Sequence, residues 1–165
     1  MNTNEWAHGA TSAGAAPRTL EVESVAQPRL FEAEGRFVTP MLRATVSLDQ
    51  RQVATVKVTG VLTPECFGAL QRWHMGVMLR AQAAGSILDF RGAAVAVDDR
   101  QITLVSDGIG RVDAPIAVVV EAPSEAIFRE WAWTRALSGA MRSVFREESK
   151  ARAWVAARAW IPQAR

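Results

Sequence analysis

The chain has no tyrosine, one cysteine (Cys66) and two histidines (His8 and His74) in 165 residues. A catalytic nucleophile needs a base beside it, and so few reactive side chains leave little to pair. Cys66 and His74 fall eight positions apart on what reads as one helix, roughly 12 Å along its axis, too far for a dyad. A single cysteine also excludes an internal disulfide framework and a cysteine-based metal centre, and it suits a reducing compartment. Glycine-rich phosphate loops are missing too: "SDGIGR" carries Gly108 and Gly110 alone, with no helix signal behind them, and reads as a turn. These absences predict no catalytic residues, no metal and no cofactor, and therefore not an enzyme.

Lysine is scarce, present only at Lys57 and Lys150, so nearly all basic charge is arginine. The formal net charge is +2, but from Arg129 to Arg165 eight basic residues face three acids. That excess can attract anionic partners or surfaces, while arginine on an amphipathic helix also packs its stem and keeps its head wet. Basic and acidic residues are interspersed and no recognition motif appears, which argues against nucleic acid. No apolar run approaches the roughly 18 residues of a membrane-spanning helix, and "PIAVVV" is strand-sized. The opening "MNTNEWAHGATSAGAAPR" lacks the basic start and apolar core of a secretory signal. The expectation is a cytoplasmic chain without a transmembrane segment.

What is present reads as one domain. Apolar content of 49% and charged content of 22% are ordinary for a globular chain, and 165 residues suffice for a real core. Residues 1–28, rich in Ala, Gly, Ser, Thr and Pro without an apolar period, read as a flexible tail, leaving 29–165 as a single α/β domain. "MLRATVSL" and "QVATVKVTGVL" alternate around the turn "DQRQ" and predict an antiparallel hairpin. Thr63-Pro64-Glu65 supplies a hydroxyl cap, a first-turn proline and a first-turn acid, predicting a helix that Gly85 stops. Its apolar face gathers Cys66, Phe67, Leu70, Trp73, His74, Val77, Met78 and Ala81.

"SILDF" reads as a short buried strand, followed by a loop and a short helix capped by Asp98 or Asp99. "PIAVVV" is the next strand, then "EAIFREWAWTRALSG" a helix, "AMRSVF" a strand and "REESKARAWVAARAW" a helix stopped by Pro162. Strands separated by helices, with continuous apolar runs, imply a mixed, mainly parallel sheet of about five strands with helices packed on it.

This order resembles the STAS domain of sulphate transporters and anti-sigma factor antagonists, and more closely its bacterial SpoIIAA-like branch. Three segments carry the likeness: "VTGVLTPECFGALQ", "ILDFRGAAVAVDD" and "MRSVFREESKARAWV", the last with Phe145 and the set Ala151, Trp154, Val155. The resemblance implies a regulatory module, switched in that family by a phosphorylated serine at the start of the helix after the middle strand. Here the matching positions read Val97, Asp98, Asp99, Arg100 and Gln101, with no Ser or Thr between Ser86 and Thr103. An aspartate there is either a plain helix cap or a permanent, smaller version of a bound phosphate. The strand-end and switch-loop candidates are therefore Asp89, Asp98, Asp99 and Arg100.

Trp131 and Trp133 fall about 200° apart on their helix, so a core stripe of Phe128, Trp131 and Ala132 turns Trp133 and Leu137 elsewhere. Trp133 and Leu137, with Arg158 and Trp160, are the candidate surface for a protein partner, a homodimer or a ligand. Trp73, His74 and Met78 mark where a pocket for a small apolar or lipid-like ligand would lie, with Met75 as a further wall. The chain therefore reads as a non-catalytic interaction module, with a small-ligand carrier or sensor as the alternative.

Overall fold

The computed structural model describes residues 35–98, 100–102 and 113–159. The expected tail over 1–28, Asp99, the turn at Gly108 and Gly110, Trp160 and Pro162 lie outside the described residues.

Among the described residues six strands form one sheet, β1 (Arg36–Val38), β2 (Leu42–Leu48), β3 (Val53–Leu62), β4 (Gly85–Val95), β5 (Ile116–Val119) and β6 (Arg142–Phe145), lying side by side in chain order. β1, β2 and β3 are antiparallel neighbours; β3, β4, β5 and β6 run parallel. The parallel steps are bridged by α1 (Pro64–Ala81) and α2 (Glu125–Leu137), and α3 (Glu148–Ala159) ends the described fold. Between β4 and β5, residues 100–102 are helical. The sheet is thus the expected mixed α/β arrangement, one strand larger because β1, at three residues, is too short to show an alternation.

Local chemistry explains these elements. Asp49 turns β2 into β3 by accepting the backbone N–H of Arg51 at 2.9 Å and of Val53 at 3.0 Å, closing the predicted hairpin. Thr63 caps α1 by accepting the Cys66 N–H at 3.3 Å, with Pro64 in the first turn. The stop differs from expectation: Gln82, at φ 49°, ends α1 in the left-handed conformation, and Gly85 opens β4 instead. β4 also outruns "SILDF". It continues through Gly92 to Val95 beside β3, across an irregularity in register between Lys57 and Thr59.

The two faces of the sheet follow from the strand period of two. Val56, Val58, Leu88, Phe90, Ile116 and Val118 point to one face and pack under α1 and α2, where Phe67, Phe90, Phe128 and Trp131 form an aromatic cluster. Val53, Ile87, Ala117 and Val119 point to the other and meet Ala151 and Val155 of α3. Close approach there depends on Gly85, where a Cβ would fall 2.5 Å from Val155 Cγ1. The helix stripe predicted for α2 is the buried one, Phe128, Trp131 and Ala132.

Candidate functional site

Three groups of side chains stand out: a charged ladder under α3, a capped turn after β4, and a cavity and surface around α2.

On the α3 face Arg91 grips Asp89 with two hydrogen bonds, Nε to Oδ1 at 2.9 Å and Nη2 to Oδ2 at 2.6 Å. Arg91 also donates to Glu148 at 3.2 Å, and Glu148 accepts from Arg152 at 2.9 Å. Arg152 in turn reaches Asp49 at 3.1 Å and Thr55 at 3.3 Å. Burial works to raise the Asp89 pKa, but the Arg91 hydrogen bonds and the charges of Arg91 and Lys57 outweigh it and hold the carboxyl below its ordinary value. Asp89 is not where the sequence reading puts it, at the end of its strand. β4 continues six residues further, to Val95, and Asp89 is only the last residue paired with β5, opposite Val119. Its carboxylate is engaged in tying α3 to the sheet.

Asp98 caps the helical residues 100–102. Its carboxylate accepts the Gln101 N–H at 2.7 Å, and the Gln101 side chain accepts the Asp98 N–H at 3.1 Å, a reciprocal capping box. Arg100 is exposed on the same turn. The geometry is that of a helix cap and needs no ligand to explain it.

Around α2, Trp133 and Leu137 are 63% and 73% exposed, one turn apart. They lie beside β6, and a groove lined by Arg129, Ala132, Trp133, Ala136, Ser143 and Val144 separates helix from strand. Both ends of the helix are fastened. Glu125 in the first turn takes Arg146 and Arg129 at 2.5 Å each, and Ser138 closes the last turn onto the Arg135 carbonyl at 2.8 Å. The hydrogen bond from Arg146, then the charges of Arg129 and Arg146, keep the Glu125 carboxyl below its ordinary range. Arg158 lies on α3 instead, its guanidinium 4.4 Å from the Trp154 ring centre, so it does not join this surface.

Beneath α2 is a cavity of about 480 Å³ counting its mouth, of which about 40 Å³ is open to the centres of water-sized atoms. Its walls are apolar where Met75, Leu88, Ile116 and Trp131 meet, and polar at Gln71, His74, Arg135 and Arg142. His74 is buried, with Nε2 2.7 Å from Ser86 Oγ. Burial, then the nearby Arg142 charge, pushes its pKa down to about 3, so the ring is neutral. Burial, then Arg135, lowers Arg142 to about 10 against the pull of Asp113. Arg142 also donates to the carbonyls of Ala114 at 3.0 Å and Met141 at 2.8 Å.

Of the predicted pocket residues His74 lines this cavity, as does Met75, expected as a further wall, while Trp73 and Met78 do not. Trp73 packs on Phe37 at 5.7 Å between ring centres, and Met78 belongs to a separate cluster with Ala54 and Ala114. Gln71, Arg135 and Arg142 were missed by sequence reasoning. Gln71 had a signal, since it lies four positions after Phe67 and three before His74 and so shares the buried stripe. Arg142 had one too: it alternates with Val144, which packs into the α1–α2 core. Among the described residues no group of acidic, histidine and cysteine side chains could hold a metal, and no helix is long and apolar enough to cross a membrane.

No protein-family model matches the chain, and no curated protein matches it. Among solved structures, an uncharacterized protein from the DUF3478 family with a SpoIIAA-like fold, from Shewanella loihica, is similar to it: 14% identity and a TM-score of 0.46 over 70% of this chain and 93% of that one.

Proposed function

We propose that the chain is a non-catalytic interaction module, as the sequence resemblance implies, and that it binds a protein through the outer face of α2 beside β6. The observation that supports this is the exposure of Trp133 and Leu137 on a helix whose other aromatic residues, Phe128 and Trp131, are buried. A tryptophan carries one of the largest apolar surfaces of any side chain, and leaving two such residues in water one turn apart is costly unless a partner covers them. The neighbouring strand adds direction. Among the described residues β6 pairs only with β5, and the bonds from Ile116 and Val120 to the carbonyls of Met141 and Phe145 turn those residues inward, so Val144 presents its N–H and C=O outward. An extended segment can pair there while its side chains enter the groove under Trp133.

A second copy of this chain is the first partner to test. Sedimentation velocity of the wild type and of the Trp133→Ala, Leu137→Ala double variant, matched for circular dichroism, is expected to show association that the double variant loses. Association of equal strength in both would overturn this placement of the surface, and a wild type that stays monomeric would overturn the homodimer.

A second reading, a carrier or sensor of small ligands, has the cavity beside His74 as its support. Ligand pockets of this kind are mostly apolar with a few convergent polar groups.

A further inference from the structure

The α3 side of the sheet is only half covered. Arg36, Thr45, Lys57 and Asp89 lie opposite one another in one row across β1–β4, with Arg43 and Thr59 in the next row, so all six point to this side. α3 packs on Ile87, Ala117 and Val119 of β4 and β5, while Arg36, Arg43, Thr45, Ser47, Lys57 and Thr59 stay exposed. β1, β2 and β3 hold three basic side chains and no acid. The acids bordering them, Asp89, Glu148 and Asp49, are already bonded to Arg91 or Arg152. With strands about 4.8 Å apart and about 6.6 Å between alternate residues, the Cα of Arg43 lies about 8 Å from those of Arg36 and Lys57.

We propose that this basic face is covered by the chain's own acidic N-terminal segment, residues 19–34. The surface is separate from the one beside α2 and stands or falls independently of it.

Charge and position together select the occupant. Residues 19–34 hold Glu21, Glu23, Glu32 and Glu34 against Arg29 alone. Each pair of glutamates is two residues apart, about 7 Å along an extended chain, close to the spacing of the cations it would meet. The segment ends one residue before the face. Gly35, at φ 68°, turns the chain as it enters β1, and its carbonyl accepts the Val46 N–H at 2.9 Å. Fully extended, the segment spans at most about 50 Å, and the face is about 10 Å wide from β1 to β3 and about 20 Å long, so all of it is within reach. Exposed ion pairs are individually weak, but a tether holds the acids at an effective concentration on the order of millimolar, so several weak pairs suffice. Other polyanions fit the face less well. It offers no aromatic ring for a base to stack on, and apart from Val38 the side chains these strands expose on it are polar, with little to enter a bilayer.

The test is paramagnetic relaxation NMR on the full chain, with a nitroxide on Val22→Cys in a Cys66→Ser background. At about 50 mM salt the amides of β1–β3 are expected to broaden several-fold more than those of α2, and at about 0.5 M salt to lose most of that excess. Arg43→Glu with Lys57→Glu should abolish it. Glu21→Gln, Glu23→Gln, Glu32→Gln and Glu34→Gln together should do the same, and these changes lie outside the described fold, so they decide the matter even if the first variant misfolds. Broadening that is uniform along the chain, indifferent to salt and to both sets of changes, or centred on Trp133 and Leu137 would overturn the proposal. Binding of a DNA duplex or of phosphatidylglycerol vesicles by the unmodified full chain, lost in the Arg43→Glu, Lys57→Glu protein, would assign the face to an outside polyanion and overturn it too.

Discussion

The docking of α3 depends on one missing side chain. At Gly85 a Cβ would lie 2.5 Å from Val155 Cγ1 and 3.2 Å from both Cγ and the carbonyl oxygen of Pro115. Gly85→Ala should therefore act as overpacking and cost about 1–3 kcal/mol. Val155 is fully buried, so Val155→Ala alone removes two methyl groups at about 0.8 kcal/mol each and leaves a small cavity, about 2 kcal/mol together. In the double variant the added carbon occupies the space the valine vacated. The pair should cost about 2–3 kcal/mol, less than the sum of the singles by about 1–2 kcal/mol. Urea denaturation followed by circular dichroism, with unchanged slopes, measures all four corners of the cycle. If the two costs add within about 0.5 kcal/mol, the strain is borne by Pro115 or by the strand, and the contact with Val155 does not set the helix position.

Other outcomes follow from single features. Asp98→Ala removes the capping box and should cost about 1 kcal/mol, a fall in Tm of roughly 2–4 °C, with Asp98→Ser recovering most of it. Gln82→Gly relieves a left-handed residue at the end of α1 and should raise stability by about 0.5–1 kcal/mol in the same assay. His74 is neutral in the fold down to about pH 3 but gains a proton in the unfolded chain near its ordinary 6.5. Stability should therefore fall as pH drops below 6.5, by at most about 1.4 kcal/mol per unit from this group, and His74→Gln should flatten that slope; equal slopes in both proteins would refute the assignment. Asp89 acts with the same sign at lower pH, because below its ordinary 3.8 the unfolded chain gains a proton there while the folded carboxylate stays charged, and its contribution is lost as pH falls on toward the depressed folded value.

Much of this architecture is written in local signals. The hairpin, the Thr63-Pro64 start of α1, the order of parallel strands and the division of α2 into a buried stripe and an outward Trp133 all follow from period and capping chemistry. The length of β4 does not, because Arg91, Gly92 and the two alanines after it carry no strand pattern, and the extension from Gly92 to Val95 is held by pairing with Thr59 through Leu62. Nor does the end of α1, where the chain places Gln82 in a conformation usually left to glycine, so that Gly85 misleads. The candidate cavity is the least legible feature. It joins Gln71 and His74 of α1 to Arg135 of α2 and Arg142 of β6, residues more than sixty positions apart, and nothing local marks the second pair as neighbours of the first. Asp89 shows the converse: a carboxylate that sequence position marks for a site is spent on Arg91.

Strand order also bears on how the chain acquires its shape. Each strand of the sheet lies next to the strand synthesised just before it, so every new segment emerging from the ribosome meets a template already laid down. The β2–β3 hairpin closes over a short turn, whereas each parallel step must first bring together residues as far apart as Val53 and Gly85 or Ile116 and Arg142, which slows that pairing. α3 reaches further still, since Arg152 bonds back across 103 residues to Asp49 and 97 to Thr55. Its arrival closes the longest of these separations that a side-chain hydrogen bond spans in the described fold. Changes in the Asp89–Arg91–Glu148–Arg152 ladder should therefore leave the early rates alone and show themselves in the last phase of folding and the first of unfolding.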